Sequence, residues 1–341
     1  MKRILCLYPF TAQMQAHLRG ISPELEITFN GTDSQAGVDA LEDPTLDALL
    51  ANFAPSDLRR QAPRLSWLAI VGAGVDHIRQ GDPWKYGVTV TNGSGLHGTA
   101  IAEYTLAQML HFSQRLAARQ RAQVDSAWPG VWTERWLSLL GTALRGRTLT
   151  VVGYGSIGRE VARLASAFGM RVLAVKANPT LKADRGFSPP GLGDPDGRIP
   201  VRIAPISELS ELFRQSDYAV LTLPSTPSTE RVVSAQAIRS LPGHAVLINV
   251  ARGRILDEEA LCAALRDGAL RGAGLDVATT EPIPRGSLLW QVPNLVLTPH
   301  VSAIQDPEGW WDLVAGLMTE NLARYAAGRE LLNIVDGAAG Y

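Results

Sequence analysis

The sequence predicts an α/β protein of two doubly wound, parallel-sheet domains. Three observations predict it. Short apolar runs alternate with helical stretches over residues 1–97. A second alternation, over 149–299, holds six further apolar runs and opens on a glycine-rich turn. A helical stripe in 303–328 closes the chain. With 341 residues, 46% of them hydrophobic, the chain can bury two cores.

The elements follow in order. MKRILCLYPF has a basic start and a short apolar run, but Pro9 comes at once and no small-residue cleavage pattern does. It reads as a first strand at 4–7 rather than a signal peptide. A second strand lies at 26–29, and 44–52 and 56–60 read as helical. The apolar run 65–71 leads into GAG, and 88–91 into NGSG. One long helix is expected over 99–123, where Ala102, Leu106, Met109, Leu110 and Leu116 form a stripe. The Trp-rich connection AWPGVWTERW follows. Strands are then expected at 149–152, 172–175, 218–223, 245–249, 274–276 and 295–298. In the closing helix, Trp311, Val314, Leu317, Met318, Leu322 and Tyr325 recur at steps of three and four, the spacing of a core-facing stripe. Residues 177–200, rich in Pro and Gly and without periodicity, read as a long inserted loop, functional or mobile.

Charge and cysteine usage exclude several classes. Lys plus Arg is 32 and Asp plus Glu 33, a net charge of −1, so neither nucleic acid nor an anionic membrane is an expected partner. No apolar run approaches the roughly 18 residues of a membrane span. Cys6 and Cys262 are far apart and match no CxxC pattern, so no metal site or disulfide framework is expected. A reducing, cytoplasmic setting fits.

The stretch LTVVGYGSIGREVARLASAFGMRVLAVKANP places Gly153, Gly155 and Gly158 between a strand pattern and a helix pattern. In that context GxGxxG is a dinucleotide-binding turn. The first glycine permits the turn, the second leaves room for a pyrophosphate, and the third lets helix and strand pack closely. Tyr154, Ser156 and Ile157 complete the turn, and the helix N-terminus offers N–H groups to the phosphates. An acidic residue usually ends the second strand and holds the ribose; here Lys176 does. Lysine removes the repulsion of a 2′-phosphate and adds a cation, which favours NADP over NAD. Lys182 and Arg185, in the loop just beyond, are candidates to close over the same phosphate.

Three later stretches end in polar residues where parallel strands should end: HAVLINVARGRILD at Arg252, GAGLDVATTEPIP at Asp276 and Glu281, and NLVLTPHVSA at His300. That is the edge where open α/β sheets bind ligands. Together with VGYGSIGREVA, LPSTPSTE, VGAGVDH, NGSGLHGTAIAEY and LLNIVD, in this order over nearly the whole length, they make the chain resemble the D-isomer-specific 2-hydroxyacid dehydrogenases. Glyoxylate/hydroxypyruvate reductases and phosphoglycerate dehydrogenases are relatives of this kind.

The resemblance implies a Rossmann cofactor domain, residues 98–302, inserted in a flavodoxin-like substrate domain made of 1–97 and 303–341, with the active site in the cleft. It implies a catalytic set of Arg252, Glu281 and His300. Imidazole can give and take a proton near neutral pH, a neighbouring carboxylate can orient it and favour its charged form, and a guanidinium can hold a carboxylate and polarise a carbonyl. It further implies that backbone amides at Ala73 and Gly74 bind the substrate carboxylate, together with Arg252. Pro224, Thr229, Val250, Ala251, Asp276 and Thr99 would line the cofactor. His97 reads as a loop residue, and His17, His77, His111 and His244 match no catalytic position. Trp128, Trp132 and Trp136 read as packing or dimer contacts, a homodimer being implied by the resemblance.

The expected activity is an NAD(P)-dependent interconversion of a small 2-keto acid and its D-2-hydroxy acid, glyoxylate and hydroxypyruvate leading, with NADP(H) preferred and no metal. If His300 must be charged for reduction, activity should fall as pH rises. Two rival readings are a non-enzymatic dinucleotide sensor, like the corepressors that share this fold, and a formate- or phosphite-type dehydrogenase.

Overall fold

A computed structural model of the chain describes residues 1–184, 186–303 and 306–340. It divides into two compact units. The first is Met1–His97, Arg185–Gly191 and Ile304–Tyr341; the second is Gly98–Asp184 and Leu192–Ala303.

The first unit holds five parallel strands: β1 (Lys2–Cys6), β2 (Leu25–Phe29), β3 (Ala48–Leu50), β4 (Trp67–Ala69) and β5 (Thr89–Thr91). Their order, β2-β1-β3-β4-β5, is the flavodoxin-like one with a single reversal beside β1. Alternation sorts the side chains onto two faces. Ile4, Cys6, Ala48, Leu50, Trp67 and Ala69 pack with Val314, Leu317, Met318 and Leu322 of helix Pro307–Ala326. Leu49, Leu68, Ile70 and Val90 build the opposite core.

The expectation of a helix over 44–52 is wrong. Ala48, Leu49 and Leu50 are fully buried and pair with β1 on one side and β4 on the other. Ala and Leu favour helix locally, but a central strand position buries all three, and that tertiary gain decides.

The second unit holds seven parallel strands: β6 (Thr148–Val152), β7 (Arg171–Val175), β8 (Arg202–Ala204), β9 (Tyr218–Leu221), β10 (Val246–Asn249), β11 (Gly272–Leu275) and β12 (Leu295–Leu297). Read from the other edge, the order β8-β7-β6-β9-β10-β11-β12 is the Rossmann winding, its switch point between β6 and β9. Strand β8 was not expected: three residues at a sheet edge carry no readable period. The single helix expected over 99–123 is two, Gly98–Ser113 and Leu116–Val124, with Arg115 left-handed between them (φ 51°). Beyond that break only Ala122 is buried, and Leu116 is exposed, so no core holds the axis straight.

Residues 177–200 form no helix, and no strand, among those described. Within the first unit, Phe187 packs against the core that includes Trp310, and its amide donates to Asn333 Oδ1 at 2.8 Å. Arg185 lies outside the described residues. Among the described residues no helix is long and apolar enough to cross a membrane.

Candidate active site

The glycine turn joins β6 to helix Ser156–Ala167 at the switch point. A Cβ on Gly158 would stand 2.2 Å from Gly153 O, so only glycine lets the helix approach the turn. A Cβ on Gly155 would meet nothing within 4 Å, so the space over the turn is open. Arg159 N is the first amide of this helix with a backbone acceptor, Gly155 O at 2.9 Å. The amides of Ile157 and Gly158 have none among the described residues. Open space, donor N–H groups and the positive helix end fit a dinucleotide pyrophosphate. Tyr154 turns elsewhere: its ring is buried, and its hydroxyl donates to Asp194 Oδ2 at 2.6 Å.

Lys176 follows β7, its amide donating to Ala204 O at 3.0 Å. Its ammonium donates to Leu181 O, so the inserted loop folds back over the strand end. Burial, and then the positive charge of Arg159, hold the ammonium below its usual pKa, against the opposing pull of Asp184. Lys182 is exposed. Its carbonyl accepts Arg159 Nη2 at 2.6 Å.

Sequence reasoning missed Arg159. Its side chain is 2% exposed, lies 4.7 Å over the Tyr154 ring, pairs with Asp184 at 3.2 Å and donates to Asp194 O. Asp194 Oδ1 accepts Arg198 N at 2.9 Å, and Oδ2 accepts Ile199 N at 3.0 Å. One buried guanidinium and one carboxylate thus tie both arms of the loop to the glycine turn. No signal marked them, because a charged residue on a helix is ordinarily solvated.

The three polar strand ends emerge side by side. Asn249 of β10 pairs in register with Leu275 of β11, and Leu275 with Leu297 of β12. Fully buried Asn249 shapes the first end: Oδ1 accepts Ala251 N and Nδ2 donates to Arg252 O, each at 3.0 Å. Arg252 is partly buried there, Nη1 donating to Ala251 O at 2.8 Å. Asp276, 1% exposed, shapes the third end. Oδ1 accepts Thr298 Oγ1 at 2.5 Å and Val301 N at 3.1 Å, and Oδ2 accepts Ser302 N at 3.0 Å. His300, held left-handed (φ 55°), donates its amide to Asp276 O at 2.8 Å.

Glu281 comes from the middle strand end. Its Oε1 accepts Ala278 N at 2.8 Å, and its Oε2 lies 2.8 Å from His300 Nδ1. An ionised carboxylate only accepts, so Nδ1 carries the hydrogen and Nε2 is the nitrogen left to exchange a proton.

The remaining expected residues fall as follows. Thr229 Oγ1 donates to Pro224 O at 2.7 Å and accepts Thr226 N at 2.8 Å, closing the loop after β9. Val250 and Ala251 are buried beside Arg252, and Thr99 lies in the first turn of helix Gly98–Ser113. Ala73 and Gly74 belong to the first unit, in the turn after β4. Among the described residues no group of three or more His, Cys, Asp or Glu is placed to hold a metal ion.

Comparison with known proteins points one way. Residues 106–302 match the family model described as D-isomer specific 2-hydroxyacid dehydrogenase, NAD binding domain. A glyoxylate reductase of Thermococcus kodakarensis is 32% identical over 79% of this chain and 77% of its own. A glycerate dehydrogenase of Methylorubrum extorquens is 30% identical over 80% of each. Among solved structures, a D-isomer specific 2-hydroxyacid dehydrogenase of Xanthobacter autotrophicus, in complex with NADPH and MES, superposes with a TM-score of 0.77. It is 28% identical and is covered over 99% of its length by all of this chain.

Proposed function

Because the chain belongs to the D-isomer specific 2-hydroxyacid dehydrogenase family, and so is an NAD(P)-dependent oxidoreductase acting on CH–OH groups, we propose that it reduces a small 2-keto acid, glyoxylate to the achiral glycolate or hydroxypyruvate to the D-2-hydroxy acid. The observation that carries the reading is the 2.8 Å contact between His300 Nδ1 and Glu281 Oε2. When bound, the nicotinamide supplies the hydride. His300 Nε2 gives the proton to the carbonyl oxygen that becomes the hydroxyl. Glu281, itself held by the Ala278 amide, keeps the ring oriented. Arg252 holds the carboxylate and polarises the carbonyl, and the amides of Ala73 and Gly74 hold the carboxylate as well. Asp276, Pro224, Thr229, Val250, Ala251 and Thr99 line the nicotinamide end, and the turn Gly153–Gly158 holds the pyrophosphate.

NADPH is the preferred donor on this reading. Its support is the cation at Lys176 where a carboxylate would repel a 2′-phosphate, and the NADPH complex of the Xanthobacter relative. The protein acts as a cytoplasmic homodimer with no nucleic-acid or membrane partner. Support for the dimer is an apolar segment set in water: Trp128 is 96% exposed, with Val124, Val131 and Trp132 also exposed. A His–Glu pair arranged for proton exchange weighs against a non-enzymatic sensor. The curated relatives named above are reductases and dehydrogenases of hydroxy acids, not formate or phosphite enzymes.

Steady-state kinetics with NADPH and NADH over a panel of keto acids test the proposal. Glyoxylate or hydroxypyruvate should give the highest kcat/KM, with NADPH. Tight cofactor binding without turnover on any keto acid would overturn it.

A further inference from the structure

Three successive carbonyls of the turn after β4 are tied to one segment of the same unit. Val71 O is 3.3 Å from His97 Nε2, Gly72 O accepts Gly93 N at 3.0 Å, and Ala73 O accepts Asn92 Nδ2 at 2.9 Å. A carbonyl only accepts, so His97 Nε2 carries the hydrogen. These peptides are trans, and a trans peptide points its N–H opposite to its C=O. The amides of Gly72, Ala73 and Gly74 are therefore all turned away from residues 92–97. All three residues are partly exposed, and none of these amides has an acceptor among the described residues. Successive amides aimed one way make an anion-binding concavity.

The residues that turn the carbonyls are themselves held. Asn92 N donates to Asn333 O at 3.1 Å, and Asn92 Oδ1 accepts Ser94 N at 3.1 Å. Asn333 Nδ2 donates to Asn92 O at 3.0 Å and to Ser94 O at 2.8 Å. The His97 ring, 9% exposed, stacks on Trp310 at 4.4 Å. A Cβ on Gly93 would stand 1.9 Å from Val71 O, so no other residue permits this approach. From the other side, Val71 N donates to Asn52 Oδ1 at 3.2 Å, and Asn52 is held by both oxygens of Asp33 at 2.8 and 2.7 Å.

We propose that Asn92 and His97 are positioning residues for the substrate carboxylate, which aim the amides of Gly72, Ala73 and Gly74 at it without touching it. The inference rests on the reading above, in which this turn receives the carboxylate, and adds Gly72 as a third donor.

The test uses the full chain saturated with NADPH. Oxalate, a dicarboxylate that accepts no hydride, is titrated calorimetrically, and glyoxylate kinetics are measured in parallel. Asn92→Ala should weaken oxalate binding and raise the glyoxylate KM by about tenfold, the loss falling on KM more than on kcat. NADPH affinity should stay within about twofold. His97→Phe keeps a ring on Trp310 and deletes the donor; it should show a smaller loss of the same kind, and His97→Gln, which retains an amide donor, should recover part of it. If Asn92→Ala does not fold, the His97 pair decides. Oxalate affinity unchanged in these variants, NADPH affinity falling in parallel, or no oxalate binding by the wild type would overturn the inference. Oxalate binding that responds as described, without turnover of any keto acid, would sink the reductase reading and leave the inference standing.

Discussion

Glu281 is anchored at both ends of its carboxylate: Oε1 accepts the amide of Ala278 and Oε2 stands against His300 Nδ1, each at 2.8 Å. A carboxylate tied to its own backbone cannot swing, so the ring it faces is fixed in direction. Both side chains keep substantial exposure, 36% for Glu281 and 45% for His300, so the pair contributes orientation more than stability.

Replacement of the imidazole should therefore act on turnover. His300→Gln is expected to lower kcat for keto-acid reduction by about 10²–10⁴ and to leave NADPH affinity unchanged. Glu281→Gln should cost less, since the ring remains. Stopped-flow NADPH oxidation, with cofactor affinity from fluorescence titration, checks both; a His300→Gln enzyme of normal turnover rules out the role.

Cofactor choice should follow residue 176. Lys176→Asp places a carboxylate where a 2′-phosphate would sit, and is expected to raise the KM for NADPH by at least about tenfold while the KM for NADH holds or falls. An unchanged NADPH/NADH ratio of kcat/KM would show that the phosphate is read elsewhere.

The loop should lose its anchor in acid. Burial alone would raise the Asp194 carboxyl, but the Tyr154 hydroxyl, the amides of Ile199 and Arg198, and the Arg159 charge outweigh it and hold the pKa below the usual 3.8. A group whose pKa is depressed by folding stabilises fully above its unfolded value, and that contribution is lost as pH falls through the folded value. Asp194→Asn should destabilise the protein by about 1–3 kcal/mol near neutral pH. The difference from wild type should shrink once pH drops below 3.8. Urea denaturation across the pH range reads it; a difference that grows in acid would contradict the sign.

Assembly should depend on the exposed tryptophans. Trp128→Ser combined with Trp132→Ser removes two rings that are 96% and 76% exposed. The double variant is expected to weaken the dimer by at least about tenfold in light scattering or sedimentation, since buried aromatics dominate such interfaces. A wild type that is monomeric at micromolar concentration would dismiss the dimer itself.

Residue order alone determined much of this protein. Short apolar runs alternating with helical stretches marked both sheets, and three glycines between a strand and a helix marked the turn that joins them, because these signals are local. That the segments bearing Arg252, Glu281 and His300 follow neighbouring strands was legible because each comes after an apolar run of a parallel sheet. Tertiary structure decided the rest. It drew 48–50 into a strand against its helix-favouring composition, because a central position buries all three residues. It set Glu281 against His300, and it buried Arg159 with Asp194, pairs separated by 19 and 35 residues that no local period can link. It turned the carbonyls of 71–73 toward Asn92, Gly93 and His97, and so their amides the other way. Hydrogen-bond partners far apart in the chain are chosen by the fold that brings them within 3 Å, not by the residues that precede them.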